Sequence, residues 1–305
     1  MSASSPVSSI RAAALEAVGW LDERLSCADP WRGDSLDTAG LQAFAEYTIL
    51  AGALADSGTR LGGDAEFVSE RWLSAAEEVI SRPDYVDVVR RRPLQSFMYL
   101  LPYLVLRRVG RGSVRMDDQL VWLLDRGLLT APEQTPFREL DLAYFLESSG
   151  HPLPGPGLVE RAHRTFAFRA PGPDYLDAAA AYSITHTILY LSDFGRRPLG
   201  PVLGSVNRLI DLVDASVVTF WRSGHWDLLA ESLTCRSVLS SVEKWPPWIR
   251  RSIESLLTAR RSDGSIAGHR DVDTDAAGQF GDFDSHYHTT LVVALLGAVV
   301  SFGDA

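Results

Sequence analysis

The chain of 305 residues carries a formal net charge of −10, and 46% of its residues are hydrophobic. This composition is typical of a globular protein with a large core, and the acidic balance disfavours general nucleic-acid binding, which needs basic surface. The two cysteines, Cys27 and Cys235, are too few for a disulfide framework or a cysteine-rich structural zinc site.

The N-terminus and the apolar runs predict a cytoplasmic protein. Residues 1–9 are small and polar, without the basic start and apolar core of a signal peptide. We find no run of about 18 apolar residues without charges, the length that a membrane span requires. We therefore expect neither a membrane nor a nucleic acid among the partners. The sequence leaves the oligomeric state open.

Helical periodicity dominates the chain, and strand-like alternation is nearly absent. Breaks rich in proline, glycine and aspartate separate about twelve predicted helices. In chain order they span residues 6–27, 37–55, 64–82, 93–109, 116–128, 137–149, 156–168, 174–193, 200–222, 226–242, 246–261 and 285–302.

The predicted helices alternate in character. Odd-numbered ones are amphipathic and charged, whereas even-numbered ones, such as those containing 41–54, 97–106 and 176–191, are apolar around most of their circumference. A helix that is apolar all round is buried on all sides. The pattern predicts an all-α protein, a single domain over 1–305, in which six inner helices form a ring inside six outer ones. This is an α/α toroid; an α-solenoid of helix pairs is the alternative.

One long segment interrupts the helical pattern. Residues 262–284 are acidic and rich in glycine, which predicts a loop. Long loops in compact domains are often functional, and this one leads directly into His286 and His288. We therefore expect it to lie near a functional site.

The eighth predicted helix carries the first group of candidate functional residues. His186, Tyr190 and Asp193 are spaced i, i+4 and i+7, so they share one helix face. His186 is a candidate metal ligand and catalytic base, and Tyr190 and Asp193 are candidate catalytic partners. In the structural alternative, His186 is a core histidine and Asp193 ends the helix before Gly195.

The tenth predicted helix carries a second group, in which Asp227, Glu231 and Cys235 step by four residues. Asp227 and Cys235 are candidate metal ligands, and Glu231 is a candidate catalytic residue. The alternatives are that Asp227 interacts with the positive end of its helix and that the cysteine packs in the core.

The last predicted helix supplies two histidines. His286 and His288 are two residues apart, so on a helix they would point in different directions. We therefore place one of them in the loop or cap. His288 is the predicted inward metal ligand, and His286 is a candidate catalytic residue. Inner helices of a toroid line a central cavity, where these residues can meet the other two groups.

Residues 282–297, Asp-Phe-Asp-Ser-His-Tyr-His-Thr-Thr-Leu-Val-Val-Ala-Leu-Leu-Gly, resemble a motif of the protein prenyltransferase β subunits. In that family an Asp-Phe stretch leads into Tyr-His-Thr and an apolar inner helix. The resemblance implies an α/α toroid related to the terpenoid cyclases and prenyltransferases, with His288 as the zinc-binding histidine. The family's Asp-x-Cys pair of zinc ligands is not found here; Asp227 and Cys235 offer the same atoms at another spacing. The paired-cysteine and Cys-His-Gly signatures of lanthipeptide cyclases, which are also zinc toroids, are absent.

These residues together predict a zinc enzyme in which His186, Asp227 and His288 hold the metal and leave a position for water or a substrate thiolate. Cys235 as a fourth ligand would favour a closed structural site. The expected substrate is a small molecule or peptide, modified by cyclisation or group transfer in bacterial natural-product biosynthesis. Two alternatives remain. One is a metal-free acid/base enzyme that uses His186 with Asp193 or Tyr190, and the other is a helical binding or scaffold protein.

Overall fold

The computed structural model describes residues 5–32, 35–170, 172–269 and 279–302, and its regular structure is nearly all helical. The helices α1 to α15 are Pro6–Glu23, Thr38–Leu61, Ala65–Ile80, Pro83–Arg91, Ser96–Arg108, Val114–Asp125, Pro136–Ser148, Leu158–Ala162, Phe166–Arg169, Ala178–Leu191, Gly200–Leu203, Asn207–Ser223, Trp226–Leu239, Pro247–Thr258 and Gln279–Phe302. Four short 3₁₀-helices are Leu25–Ala28, Pro93–Gln95, Pro173–Tyr175 and Val242–Lys244, and the two-residue strands Trp31–Arg32 (β1) and Ser35–Leu36 (β2) pair antiparallel. The predicted all-α class is confirmed.

Most of the predicted helices are present, with boundaries shifted by a few residues, but three local predictions were wrong. Helix α4 is not among the predicted helices, although Pro83 at its start and two arginines in its last turn are typical helix signals. The predicted helix 156–168 is divided into α8 and α9, and the predicted helix 200–222 is divided into α11 and α12. In the second case Gly204, with φ of +73°, ends α11.

The predicted loop 262–284 is also shorter than expected, because α15 begins at Gln279. Residues 270–278 of this segment lie outside the described residues. The helix extends back because Phe283 is buried, with its ring 4.9 Å from that of Tyr287 and 6.2 Å from that of Trp20. Aromatic packing on α1 therefore stabilises the start of α15, which the acidic composition of this segment does not predict.

Six of the helices contact one another in a closed cycle. In order, α2 packs on α5, α5 on α7, α7 on α10, α10 on α13, α13 on α15, and α15 on α2 again. These six are the even-numbered apolar helices of the sequence pattern. The amphipathic helices pack against the cycle: α1 on α15, α3 on α2 and α5, and α12 on α13.

Burial explains why the two sets of helices differ in composition. In α13 every residue from Trp226 to Arg236 is buried, so the whole circumference contacts protein. In α12 the buried residues, among them Leu209, Val213 and Phe220, recur every three or four positions, so only one face does. The polar residues of α13 therefore need partners inside the protein.

The last helix, α15, is apolar and mostly buried. Residues 282–302 are long and apolar enough to cross a membrane, with a mean hydropathy of 1.3, contrary to the expectation from the sequence. However, 83% of the most apolar window is buried inside the protein, where α15 packs on α1, α2 and α13. A core helix passes the same test of length and composition as a membrane span, and the burial identifies α15 as a core helix.

Gly297 allows α15 to approach α1 closely. A Cβ atom added at this position would lie 2.2 Å from Cβ of Ala14, a distance that real atoms do not adopt. We predict that Gly297→Ala lowers the free energy of unfolding by about 2 kcal/mol, because the two helices must separate to admit the methyl group. Urea denaturation measures the change.

Gly19 offers the matched control, because it lies inside α1 and an added Cβ there meets nothing within 4 Å. We expect Gly19→Ala to raise the stability by about 0.5–1 kcal/mol through helix propensity. Equal effects of the two substitutions would contradict the close approach of α1 and α15.

Candidate metal centre

His288 on α15 lies at the centre of a group of acidic side chains from two other helices of the cycle, α2 and α13. Its Nδ1 atom is 2.8 Å from Oε2 of Glu46 on α2. Its Nε2 atom is 3.1 Å from Oδ1 of Asp227 and 3.6 Å from Oε1 of Glu231, both on α13. The histidine side chain is 31% exposed, so solvent or a ligand can reach it.

Asp227 and Glu231 are four residues apart and share one face of α13, where α10 holds them. The hydroxyl of Tyr182 donates to Oδ2 of Asp227 at 2.5 Å, and the hydroxyl of Thr185 donates to Oε2 of Glu231. Asp227 also lies in the first turn of its helix, where the positive end of the helix dipole favours a carboxylate. In each carboxylate one oxygen is thus anchored by α10, and the other lies near His288.

The oxygen atoms nearest His288 are available for a ligand. Oδ1 of Asp227 is buried and has no hydrogen-bond partner among the described residues, since its contact with His288 lacks hydrogen-bond alignment. One ligand atom from each of Asp227, Glu231 and His288 lies within 4.8 Å of the other two. This spacing suits a single ion bound between them.

The ionisation states in this group depend on one another. Burial opposes the charged imidazolium, but the carboxylates of Glu46 and Asp227 outweigh it and hold the pKa of His288 well above its usual value. Burial likewise opposes the charge on both carboxylates, yet the adjacent His288 lowers the pKa of Glu46 and that of Asp227. Burial, and then the charge of Asp227, raise the pKa of Tyr182, so its hydroxyl remains a proton donor.

The structure brings together three of the residues that the sequence indicated, His288, Asp227 and Glu231. The sequence reading assigned Glu231 to catalysis, whereas the structure places its carboxylate among the possible metal ligands. Cys235 lies outside this group of ligand atoms. Its thiol is fully buried and donates to the carbonyl of Thr185 at 3.4 Å, and burial and then Glu231 raise its pKa, which disfavours the thiolate that a metal needs.

His186 also lies outside the group of ligand atoms, contrary to the expected metal set. It shares one face of α10 with Tyr190, and the two ring centroids are 5.8 Å apart. Burial raises the pKa of Tyr190 well above its usual value, and the nearby Asp141 carboxylate adds to the effect. His186 and Tyr190 therefore belong to a second polar cluster, on the other side of Tyr182 from the metal centre.

Asp193 does not share the face of His186, because α10 ends at Leu191 and the chain turns away. Asp193 itself has φ of +53°, in the left-handed region. Its carboxylate accepts from Tyr144 at 2.7 Å and from Arg108 at 3.1 Å, and pairs with Arg196 at 3.3 Å. The predicted catalytic partner of His186 is instead the centre of an ion-pair network.

His286 is likewise in a different environment from the one predicted. Both histidines lie within α15, so neither belongs to a loop or cap, and their side chains point apart. His286 is buried and bridges two groups: Nδ1 donates to the carbonyl of Asp282 at 2.7 Å, and Nε2 accepts from Arg261 at 2.9 Å. Both ring nitrogens are thus used within the fold.

Three residues of the centre escaped the sequence reading: Glu46, Tyr182 and Thr185. The sequence does contain an indication of a buried polar contact at Glu46, because it is the only charged residue between Leu41 and Leu54 in a strongly apolar helix. An unpaired charge in such a helix needs a buried partner. The indication for Tyr182 is weaker: it lies four residues before His186 on the same helix face.

The family model described as "Domain of unknown function (DUF6895)" matches residues 14–298. The chain belongs to this family. The range of this DUF6895 match includes every residue of the metal centre, from Glu46 to His288. No curated protein and no solved structure matches the chain.

The ion pairs of Asp193 lead to a prediction about the stability of the fold that does not involve the candidate metal ligands. Asp193→Asn removes the carboxylate that pairs with Arg108 and Arg196, whose side chains are 19% and 17% exposed. We expect the free energy of unfolding to fall by about 3 kcal/mol, measured by urea denaturation. Asp211→Asn, on the exposed side of α12, should change it by less than about 0.5 kcal/mol. An effect of Asp193→Asn no larger than that of the control would contradict a structural role.

Proposed function

We propose that the protein is a metal-dependent enzyme in which Asp227, Glu231 and His288 bind one divalent cation, with zinc as the proposed ion. One observation supports this most strongly. Oδ1 of Asp227 is buried, faces the other two ligand atoms, and makes no aligned hydrogen bond among the described residues, its nearest contact being Nε2 of His288 at 3.1 Å. A cation between the three atoms would give that oxygen the direct partner that a buried carboxylate needs.

The balance of charge supports the same proposal. Three carboxylates, Glu46, Asp227 and Glu231, surround one imidazole, so two negative charges lack a counter-charge even when His288 is protonated. The side chains of the two α13 carboxylates are 7% and 5% exposed, and charges so buried are normally paired or bind metals. A divalent cation supplies the missing positive charge.

The contact between Glu46 and His288 is of the kind that orients a metal-binding histidine. Histidines that bind metals usually donate their other ring N–H to a carboxylate, which orients the ring and makes the ligand nitrogen more basic. Here Nδ1 contacts Glu46 and Nε2 points at the α13 carboxylates. Glu46 is thus a positioning residue for the metal ligand.

The ligand types limit the choice of ion. Three protein ligands leave an open coordination position, as in catalytic zinc sites, where the ion lowers the pKa of bound water to about 7. Without Cys235 and His186, the set has two carboxylates and one imidazole, which manganese and iron also accept. We retain zinc because its catalytic sites use ligand sets of this size, and we treat manganese and iron as alternatives to be tested.

The wider proposal concerns the architecture and the substrate. We propose that the closed cycle of six helices is the inner ring of an α/α toroid, with the metal centre on its inner side. We further propose that the protein acts in the cytoplasm on a small molecule or peptide, by cyclisation or group transfer in natural-product biosynthesis. The exposure of His288 supports access for a substrate.

Metal analysis tests the ligand set directly. We expect equilibrium dialysis with elemental analysis to find one zinc ion per chain. The double substitution Asp227→Asn and Glu231→Gln should weaken binding at least 100-fold, because it removes both anionic ligands. Cys235→Ala and His186→Gln should retain the ion, because neither side chain lies among the ligand atoms. Circular dichroism shows whether each variant is folded.

Three other outcomes would overturn or correct the proposed metal site. Absence of stoichiometric zinc, manganese or iron binding would overturn the metal proposal and favour a metal-free enzyme or a helical scaffold. Stoichiometric manganese or iron without zinc would retain the site and correct the ion. Loss of binding in folded Cys235→Ala or His186→Gln would replace the ligand set with the one that the sequence predicted.

Glu46→Gln provides a separate prediction. The amide cannot supply the negative charge that stabilises a metal-bound imidazole, so metal affinity should fall about 10–100-fold with the one-to-one stoichiometry preserved. Competition with a chelating dye measures the affinity. Glu66→Gln, on the exposed surface of α3, should leave it unchanged, and an equal loss in both variants would exclude a specific role for Glu46.

A further inference from the structure

We propose that a cavity between α12, α13 and α14 binds a free α-amino acid with an aromatic side chain. Its walls include Trp221 on α12, Trp226 on α13, Arg251 and Glu254 on α14, and His269. We call it the indole cavity. None of these side chains is among the proposed metal ligands, so the binding site does not rest on the proposed function.

The indole cavity is large enough for a small molecule. Its volume is about 690 Å³, within the range of roughly 300–1,000 Å³ that is typical of small-molecule sites. It is open to solvent, so a ligand can enter without a change in the fold. Its walls combine aromatic rings with a few polar groups, which is the usual composition of such sites.

Two indole rings form the apolar part of the cavity. Trp226 is nearly buried and Trp221 is half-buried, so each presents only part of its ring to the cavity. His269 adds a half-buried imidazole, whose ring centroid lies 5.7 Å from that of His225. Aromatic rings attract one another beyond the gain from burial alone. These walls therefore favour an aromatic group on the ligand.

The polar part of the cavity is one face of α14. Arg251, Glu254, Ser255 and Thr258 are spaced i, i+3, i+4 and i+7, which places them on the same side of the helix. The buried residues of α14 lie on its opposite side, against the core. The periodicity of this helix thus directs its polar side chains to the cavity.

Arg251 and Glu254 bring one positive and one negative charge to the cavity. Within the described residues, neither side chain takes part in an ion pair or a hydrogen bond. The adjacent hydroxyls of Ser255 and Thr258 donate instead to the backbone carbonyls of Arg251 and Glu254, at 3.1 and 2.7 Å. A guanidinium can donate two parallel hydrogen bonds to a carboxylate, and a carboxylate accepts from an ammonium group. The two side chains together therefore suit a zwitterion.

The spacing of the two charges selects the kind of zwitterion. Residues three apart on a helix have Cβ atoms about 5–6 Å apart. Side chains this close can reach the carboxylate and the ammonium group on a single α-carbon, whereas even a dipeptide holds its charged ends further apart. The balance of one positive and one negative charge also matches a ligand without net charge. A free amino acid meets these conditions, with its aromatic side chain against the indole rings.

The indole cavity adjoins the start of α13, which carries the proposed metal ligand Asp227. The backbone N–H of Asp227 donates to the carbonyl of Gly268 at 3.3 Å. The two neighbours of Gly268 in the chain, Ala267 and His269, line the cavity. A bound amino acid would therefore contact the segment that holds the first turn of α13.

Isothermal titration calorimetry with the full-length protein tests the ligand class. L-phenylalanine, L-tyrosine and L-tryptophan are compared with L-alanine, which lacks the ring. We expect at least one of the three to bind at least tenfold more tightly than L-alanine. The tightest ligand is then compared with its analogue without the carboxylate and its analogue without the amino group, and each analogue should bind at least tenfold more weakly.

Substitution of each charged residue identifies the group that it binds. Arg251→Gln should weaken binding of the amino acid at least tenfold and leave the analogue without the carboxylate unaffected. Glu254→Gln should weaken binding of the amino acid to the same extent and leave the analogue without the amino group unaffected. Both side chains are on the surface, so both variants should fold. The matched controls are Arg115→Gln on α6 and Glu66→Gln on α3, both exposed and outside the cavity, which should not change binding.

Absence of saturable binding for all three aromatic amino acids, or equally tight binding of L-alanine, would overturn the proposal. So would binding that persists unchanged in both Arg251→Gln and Glu254→Gln. The double variant Asp227→Asn and Glu231→Gln should lose zinc and retain the amino acid. Binding of the amino acid by a protein that binds no metal would support the indole cavity and overturn only the proposed function.

Discussion

The excess of buried negative charge around His288 is the constraint on which the centre of this protein depends. Glu46, Asp227 and Glu231 come from two helices, and their carboxylates converge on an imidazole from a third. Such an arrangement is unstable unless hydrogen bonds and a positive charge compensate for the lost hydration. Tyr182 and Thr185 on α10 supply hydrogen bonds, which ties α10 to α13. The polar groups thereby connect four members of the helical cycle.

The buried aspartates of this protein differ in how completely the fold satisfies them. Asp193, at a left-handed turn after α10, interacts with a tyrosine and three arginines. Asp227 and Asp141 each have one oxygen without an aligned hydrogen bond in the described regions, with His288 and Tyr190 as the respective nearby side chains. Burial alone therefore does not separate these carboxylates, which differ in how many of their oxygen atoms the fold satisfies.

Helix α10 shows how one face can contribute to two polar clusters. Tyr182, His186 and Tyr190 follow one another at intervals of four residues along one side of it. The hydroxyl of Tyr182 donates to Asp227 in the candidate metal centre, and the charge of Asp141 interacts with His186 in the second cluster. The spacing rule thus identified a real polar face, but it did not show that the face divides between two clusters. It also extended the face to Asp193, beyond the point where the helix ends.

The sequence by itself determined the all-helical class, the division into buried and half-buried helices, and the presence of polar groups at His186, Asp227 and His288 on the buried set. These features follow from periodicity and composition, which act along a single helix. Only the tertiary structure decided which polar groups meet. Glu46 contacts His288 from a distant helix, while Cys235 donates to the α10 backbone and Asp193 pairs with three arginines. Contacts between helices depend on their rotation and axial position in the packed fold, and no local pattern in the sequence specifies either.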